Sequence, residues 1–165
     1  MQNLYVIYGR NLNRERMLQC CPTANPMAVA TLHDYQLVFQ DSTHGVRANI
    51  IPMKGQEVPV VIWELSEDDE VHLDVDEWLG YGGCTKEYVD VEVDGETLQA
   101  QVYILPPGPF GTPSDRYLQY MAEGYRDFDL PALALNEAVS RAYENEIING
   151  AVISTHEDTV QRPLL

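Results

Sequence analysis

Basic residues are scarce in this chain of 165 residues. It has 10 Lys and Arg against 26 Asp and Glu, and a formal net charge of −16. Nucleic acids and anionic membrane surfaces are bound through clustered Lys and Arg. We therefore expect neither nucleic acid nor a membrane as a partner, and we interpret the acidic excess as a solvated surface that keeps the protein soluble.

Cysteines and long apolar runs are also few. The three cysteines, Cys20, Cys21 and Cys84, form no CxxC pair, so neither a disulfide framework nor a thiolate zinc site is indicated. Free thiols fit a reducing cytoplasm best. No apolar run approaches the roughly 20 residues of a membrane helix, and the N-terminus lacks the basic and apolar regions of a secretory signal. We expect a cytoplasmic protein.

The composition that is present suits one globular domain. Apolar residues make up 45% of the chain, and its length is that of an ordinary single domain with its own core. We find no internal repeat and no linker that would divide it. The prediction is a single domain over residues 1–165.

Short apolar, β-prone segments dominate the first two thirds of the chain and helical patterns the last third. Strands are predicted at Leu4–Tyr8, Met27–Phe39, Arg47–Ile51 and Val58–Leu65, followed by a hairpin of Tyr88–Val93 with Leu98–Leu105 across Asp94-Gly95. Helices are predicted at residues 12–19, after Ser66, at Ser114–Gly124 and at Leu130–Ile148, where Gly150 ends the last one. Residues 151–165 fit either a short strand or a frayed end. The expected fold is α+β: a small mixed, mostly antiparallel β-barrel with flanking helices.

The middle helix has a clear start signal. Ser66 is a predicted N-cap, and the acidic residues that follow it favour the positive end of the helix dipole. Val71, Val75, Trp78 and Leu79 recur at helical spacing, so we expect them to face the core.

Two segments are candidate functional elements. Tyr8-Gly9-Arg10-Asn11 lies between a strand and a helix, where Gly9 allows close backbone approach and free N–H groups can bind a carboxylate; a plain strand-to-helix turn is the alternative. Glu77 ends an acidic cluster with Asp74 and Asp76, at the border of the predicted buried face. Partial burial of a carboxyl group suits a general base; a solvated acidic face is the alternative.

Other catalytic or metal patterns are weak. His33, His44, His72 and His156 are scattered, and we expect no metal site. Cys84 has no histidine at a spacing that supports a nucleophilic pair. The glycines near residue 82 are not followed by the Gly-Lys-Ser/Thr of a phosphate-binding loop.

The order of these segments resembles the γ-glutamylcyclotransferase family, including its AIG2-like branch, over about residues 4–145. Residues 5–13 read YVIYGRNLN and look like the family's first strand and YGSN loop. Residues 61–65, VIWEL, look like the strand before the catalytic helix, and residues 73–77, LDVDE, look like its LDxxEG motif. Tyr117-Leu118 with Gly124-Tyr125 looks like its late helix.

The resemblance implies an enzyme that cyclises the γ-glutamyl group of a γ-glutamyl amine or amino acid to 5-oxoproline, with no cofactor. By position it gives Glu77 the role of general base. It implies that the substrate head group is held by Tyr8, Gly9, Arg10, Asn11 and Leu12, with Tyr117 as a further contact, although core packing alone also explains a tyrosine at that position. The expected partner is this small molecule, for a monomer or homodimer.

Three positions depart from the family pattern. Arg10 stands for the loop serine, Trp78 for the glycine after the glutamate, and Cys84 for an aromatic some seven residues later, unless Tyr88 takes that place. Arg10 and Trp78 favour a second hypothesis, a non-catalytic module that binds or sequesters a small anionic metabolite in the same pocket. A purely structural interaction protein is a third hypothesis.

Overall fold

The computed structural model describes residues 3–153, with the backbone alone for 148–153. The strands are β1 (Asn3–Ile7), β2 (Asn25–Gln40), β3 (Arg47–Leu65), β4 (Thr85–Val93) and β5 (Glu96–Ile104). A 3₁₀ turn covers Arg10–Leu12, and the α-helices are α1 (Arg14–Cys20), α2 (Glu67–Asp76), α3 (Asp115–Asp127) and α4 (Leu133–Ile153). None of the described helices is long and apolar enough to cross a membrane.

The five strands form one closed barrel in the order β1-β3-β2-β4-β5. All neighbouring pairs are antiparallel except the one that closes the barrel, where β1 pairs with β5 in parallel through Tyr5 with Gln101 and Val6 with Val102. Closure leaves no sheet edge in the barrel. The predicted α+β class and mixed, mostly antiparallel barrel are confirmed.

The two strands predicted at Arg47–Ile51 and Val58–Leu65 are one 19-residue strand, β3. Its middle, residues 52–57, is exposed, and Pro52 and Gly55 interrupt the apolar pattern there. Pairing with β2 continues on both sides of a register shift between His33 and Tyr35. At this bulge Asp34 has a φ of 63°, and its side chain accepts a hydrogen bond of 3.0 Å from the Gly55 N–H. The prediction of two separate strands was wrong because the bulge preserves the pairing where the apolar pattern fails.

The hairpin predicted across Asp94-Gly95 is confirmed. Val93 pairs with Glu96, and the two turn residues have φ values of 51° and 80°. Positive φ at both central positions is the signature of the primed turn that matches the twist of β-hairpins.

Helix α2 begins as predicted but buries a different face. The Ser66 side chain accepts a hydrogen bond from the Asp69 N–H and caps the helix. Val71, Val75 and Trp78, predicted to face the core, are 60%, 69% and 43% exposed. The buried positions are instead Asp69 and Leu73, which lie four residues apart on one face.

A buried hydrogen-bonding partner explains this inversion. Asp69 is only 2% exposed, and its carboxylate accepts hydrogen bonds from the N–H and the hydroxyl of Thr23. Burial of a carboxylate is acceptable when its oxygens are hydrogen-bonded. An amphipathic pattern counted on apolar residues alone therefore predicts the wrong face for this helix.

The last helix differs from its predicted bounds at both ends. It starts at Leu133 rather than Leu130, because the residue before Pro131 is disfavoured in the α conformation. It continues through Gly150 to Ile153, since a single interior glycine costs a helix only about 1 kcal/mol. The predictions for 154–165 fall outside the described residues.

Helix α3 packs directly against the loop that follows β1. A Cβ atom placed on Gly124 would lie 2.5 Å from the carbonyl carbon and Cβ of Leu12 and 2.6 Å from the Asn13 nitrogen. These are backbone or near-backbone atoms that cannot rotate away. Glycine at this position therefore sets how closely α3 supports the loop.

We predict that Gly124→Ala destabilises the protein by about 1–3 kcal/mol, the usual cost of overpacking, despite the higher helix propensity of alanine. Urea unfolding measures the change. Gln119→Ala, on the exposed face of the same helix, is the matched control and should change stability by no more than about 0.5 kcal/mol. An unchanged or increased stability of Gly124→Ala would show that the loop and helix can separate without cost.

Candidate active site

The loop after β1 is held from two sides. Tyr8 donates a hydrogen bond of 2.6 Å from its hydroxyl to the carbonyl oxygen of Tyr103 on β5. Gly9 precedes the 3₁₀ turn, and a Cβ there would come within 3.4 Å of the Tyr117 hydroxyl from α3. The Tyr117 oxygen in turn accepts a hydrogen bond of 2.9 Å from the Ala48 N–H on β3. The loop backbone thus lies where β3, β5 and α3 meet.

Glu77 follows the end of α2 and faces this loop. Its backbone N–H still donates to the Leu73 carbonyl at 2.9 Å, so the last turn of the helix fixes where the residue starts. The Asn11 amide donates to a Glu77 carboxylate oxygen at 3.4 Å and to the neighbouring Asp76 at 3.1 Å. The Glu77 side chain is 14% exposed, which agrees with its predicted position at the border of the buried face.

A buried ion pair joins Glu77 to Arg47. The Arg47 Nη2 atom lies 2.9 Å from the Glu77 Oε2 atom, and the Arg47 side chain is 6% exposed. Burial is the largest single influence and lowers the pKa of Arg47, but the charge of Glu77, together with smaller contributions from Tyr117, Cys84 and Asp76, outweighs it and the net pKa is raised. Arg47 is therefore a permanent cation beside Glu77.

Asp76 is the counter-ion of two further arginines. Its carboxylate lies 3.6 Å from Arg10 Nη2 and 3.4 Å from Arg16 Nη2, and Arg16 also donates to the Asn11 side-chain oxygen at 2.8 Å. Burial raises the pKa of Asp76, but the hydrogen bond from Asn11 and the charges of Arg10 and Arg16 outweigh it and lower the pKa below its usual value. Asp76 is thus a fixed anion that orients Arg10 and Asn11.

These side chains line one cavity. Of the residues predicted from the sequence, Tyr8, Gly9, Arg10, Asn11, Glu77 and Tyr117 contribute to it, and Arg47, Ala48 and Tyr103 join them. Leu12 lies apart, because its side chain is fully buried in the core and its N–H donates to the Gly9 carbonyl at 3.0 Å.

Neutral phenols line the cavity, and a neutral thiol lies beside Glu77. Burial is the largest of the causes that raise the pKa of Tyr8, Tyr103 and Tyr117, so each keeps its proton. Burial and then the charge of Glu77 raise the pKa of Cys84, whose S–H donates to Glu77 at 3.5 Å. A thiol held protonated is a poor nucleophile. The described residues contain no group of three or more His, Cys, Asp or Glu that could hold a metal ion.

Trp78 forms part of an outer pocket that shares Arg10, Arg47 and Tyr117 with the inner cavity. Its ring stacks on His44 with centroids 3.9 Å apart. The backbone φ of Trp78 is 57°, a left-handed conformation that favours glycine and costs other residues about 1–2 kcal/mol. The glycine that the family motif has at this place would adopt the same turn without that cost.

Arg47 is the main site residue that the sequence analysis missed. Residues 47–51 were interpreted only as an apolar strand, yet Arg47 and Asn49 alternate with apolar residues and both are buried. Polar side chains at every second position ordinarily indicate a solvated face of a strand. Both faces of the strand are buried here, so the alternation alone gave no signal of a site residue.

We predict that Asp76→Asn loses about 1–3 kcal/mol of stability at neutral pH, because the hydrogen-bonding partners Asn11 and Arg16 lose a charged acceptor and Arg10 loses its counter-ion. A folded-state pKa below the unfolded value of about 3.9 means that the stabilisation is present above that pH and is lost as the pH falls through the folded pKa. The difference in the free energy of unfolding between wild type and variant, measured by urea titration, should therefore become smaller below about pH 4.

Asp90→Asn, an exposed carboxylate on β4, is the control and should show little difference at any pH. A gap between wild type and Asp76→Asn that stays constant down to the lowest pH would show that the carboxylate charge of Asp76 is not what stabilises the site.

Curated proteins with similar sequences carry one name. The human gamma-glutamylcyclotransferase is 29% identical over 171 aligned positions, which cover 96% of this chain and 88% of the human protein. The mouse gamma-glutamylcyclotransferase is 27% identical over the same shares.

A solved structure agrees with them. A protein described as gamma-glutamyl cyclotransferase superposes with a TM-score of 0.77 at 27% identity, covering 84% of this chain and 86% of its own. The sequence model of the family described as "Gamma-glutamyl cyclotransferase, AIG2-like" matches residues 5–127, which run from within β1 to the end of α3 and include every residue of the cavity. The chain belongs to this family.

Proposed function

We propose that this protein is an enzyme that cyclises the γ-glutamyl group of a γ-glutamyl amine or amino acid to 5-oxoproline and releases the amine. The observation that carries the proposal is that Glu77 and the Tyr8–Asn11 loop line one cavity and are linked by the Asn11–Glu77 hydrogen bond of 3.4 Å, although these two residues lie 66 positions apart in the chain. Membership of the family and the name of the human relative support the same reaction.

The loop supplies the groups that hold the substrate head group. Asn11 and Arg10 contribute side-chain donors, and their own N–H groups open the 3₁₀ turn, where no earlier turn provides a carbonyl for them. N–H groups aimed at a reacting carbonyl stabilise the negative charge that develops on its oxygen. Tyr117 packs against this loop and adds a neutral hydroxyl to the cavity.

Glu77 has the role of proton carrier in this proposal. The substrate's α-ammonium gives a proton to the carboxylate, and the free amine then attacks the γ-carbonyl carbon of the same molecule to form the new C–N bond. As the tetrahedral intermediate collapses, Glu77 passes this proton to the departing nitrogen and the bond to that nitrogen breaks. The ring nitrogen then gives up its second excess proton through Glu77 to the freed amine, so that 5-oxoproline keeps one N–H and the amine leaves as its ammonium. The bond changes balance without water, oxidant or cofactor.

The enzyme's other contribution is conformational. Closure of the five-membered ring requires the glutamyl chain to curl so that its amine reaches its own γ-carbonyl carbon. A narrow cavity that holds both ends keeps these atoms close together and so lowers the entropic cost of the reaction. The loop at one side and Glu77 at the other provide the two holding points.

A non-catalytic module that binds a small anionic metabolite is the second candidate. The specific observation in its favour is the Arg47–Glu77 contact of 2.9 Å, because a guanidinium that holds the carboxylate occupies an oxygen that a general base would use. Only the enzyme would convert a γ-glutamyl substrate to product, so a measurement of turnover distinguishes it from the binding module.

The same proposal extends to the setting of the reaction. The substrate is a small molecule, and the enzyme is a single domain over residues 1–165. Its oligomeric state is a monomer or a homodimer. The free thiols of Cys20, Cys21 and Cys84 are consistent with the reducing conditions of a cytoplasm.

We predict that Glu77→Gln lowers the rate of 5-oxoproline release by on the order of 10²–10⁴-fold, since glutamine keeps the shape of the side chain but cannot accept the proton. Ligand affinity should change much less. The measurement is 5-oxoproline formation from a panel of γ-glutamyl amino acids and amines, beside calorimetric affinity for the same compounds.

Glu87→Gln, an exposed glutamate on β4, controls for the loss of one carboxylate and should retain the wild-type rate. Wild-type activity that persists in Glu77→Gln would remove Glu77 as the base. Tight binding by wild type with no turnover across the whole panel would establish the binding module instead.

We further predict that Arg10→Ala weakens the binding of acidic ligands by on the order of 10-fold, because Arg10 is a guanidinium at the cavity of a strongly negative protein. Calorimetry with an acidic γ-glutamyl ligand measures the change. Arg14→Ala, which removes an arginine that stacks on Phe128 away from the cavity, is the control. Equal affinities for wild type and Arg10→Ala would place Arg10 outside the binding site.

A further inference from the structure

The two terminal guanidinium nitrogens of Arg47 differ in their hydrogen bonding. It is the first residue of β3, and the whole residue is 5% exposed. Its Nη2 atom pairs with Glu77 at 2.9 Å, whereas its Nη1 atom is buried and has no hydrogen-bond partner among the described residues. Arg47 also lines the cavity.

An unpaired N–H on a buried cation is unusual. Nearly all buried polar groups are hydrogen-bonded, and an orphan on a charged group carries a large desolvation penalty. Here the orphan belongs to a residue that lines a cavity already assigned to ligand binding. The missing partner is therefore expected to come with the ligand, and it must be an acceptor, since a guanidinium can only donate.

We propose that Arg47 binds the α-carboxylate of the γ-glutamyl group, so that Arg47 and Glu77 together recognise the carboxylate and the ammonium on one α-carbon. The inference rests on the proposed function, because it takes the γ-glutamyl head group as the ligand. Arg47 and Glu77 are in contact, and the two charged groups of an α-amino acid are attached to a single carbon. An adjacent cation and anion therefore match an α-amino-acid head group in both charge and spacing.

The charges of the site agree with this assignment. Arg10, Arg16 and Arg47 face the two carboxylates of Asp76 and Glu77 through ion pairs of 3.6, 3.4 and 2.9 Å. The cluster therefore carries one positive charge in excess, in a chain whose net charge is −16. Once Glu77 has turned to the substrate ammonium, the free guanidinium N–H groups of Arg47 can donate to one carboxylate of the ligand.

The pairing also gives Arg47 a second effect. In the free protein it holds the Glu77 carboxylate in one orientation, beside Asn11 and Cys84. In the complex the substrate's own carboxylate competes for the guanidinium, which releases Glu77 toward the ammonium. Ligands that lack the α-carboxylate would leave the Arg47–Glu77 pair intact.

The product provides a probe that does not depend on turnover. 5-Oxoproline keeps the α-carboxylate but has lost the ammonium, and its amide, 5-oxoprolinamide, differs only at the carboxylate. Calorimetry would compare both ligands on wild type, Arg47→Met and Arg47→Lys. Arg141→Met is the matched control, because Arg141 is a second partly buried arginine with an unpaired Nε atom and lies outside the cavity.

Wild type and Arg141→Met should prefer 5-oxoproline over its amide by on the order of 10- to 100-fold, the range for a hydrogen bond to a charged group. Arg47→Met should lose this preference. Arg47→Lys, which keeps the charge but not the paired donors, should retain part of it. If Arg47→Met does not fold, the reduced preference of Arg47→Lys still decides the question.

An unchanged preference in Arg47→Met, or in Arg47→Lys if only that variant folds, would overturn the proposal and assign the carboxylate to another group. Wild-type protein that shows no preference for the acid, or binds neither ligand, would overturn it as well. The parent function fails separately, through the absence of 5-oxoproline formation by wild type. Turnover that persists while the ligand preference is independent of Arg47 would reject only the role of Arg47.

Discussion

The parallel pairing of β1 with β5 is the contact on which the rest of this structure depends. It closes a sheet that is otherwise antiparallel, and it leaves β1 hydrogen-bonded on both sides, to β3 and to β5. The loop that follows β1 therefore starts from a fixed point between two strands. Tyr8 extends this restraint, since its hydroxyl bonds to the Tyr103 carbonyl at the end of β5.

The second constraint is the charge buried beside this loop. Arg47 on β3 is enclosed near the loop, and its charge is tolerated there because Glu77 is within 2.9 Å. Removing charges from water is costly, and a buried pair persists only with good geometry and further hydrogen bonds. Glu77 has these from Asn11 and Cys84. Arg47 lacks one, and because Arg47 lines the cavity, a bound ligand is in a position to supply the missing acceptor.

The sequence predicted those parts of the fold that depend on local signals. The Asp94-Gly95 turn and the Ser66 cap are determined by nearby residues, and the structure has them where expected. The predicted apolar strands are present as well, except that two of them form the single strand β3. The loop and Glu77 were also predicted, through motif order, and both line the cavity.

What could not be predicted depends on residues far apart in the chain. Asp69 is buried because Thr23, 46 residues earlier, satisfies it, and this reversed the expected face of α2. Arg47 joined the site because a strand 30 residues before Glu77 folds beside it. The united strand β3 depends on a bulge in its partner, β2. The local periodicity of the sequence does not predict any of these long-range contacts.

The most direct test of the proposed reaction is to follow the carbonyl chemistry in water enriched in ¹⁸O. Cyclisation uses the substrate's own amine as the nucleophile, so a γ-glutamyl amino acid should give 5-oxoproline and free amino acid in equal amounts, with no ¹⁸O in either product. Glutamate labelled with ¹⁸O would show that water is the nucleophile and that the cavity performs hydrolysis. Unconsumed substrate across a broad γ-glutamyl panel would contradict an enzymatic role altogether.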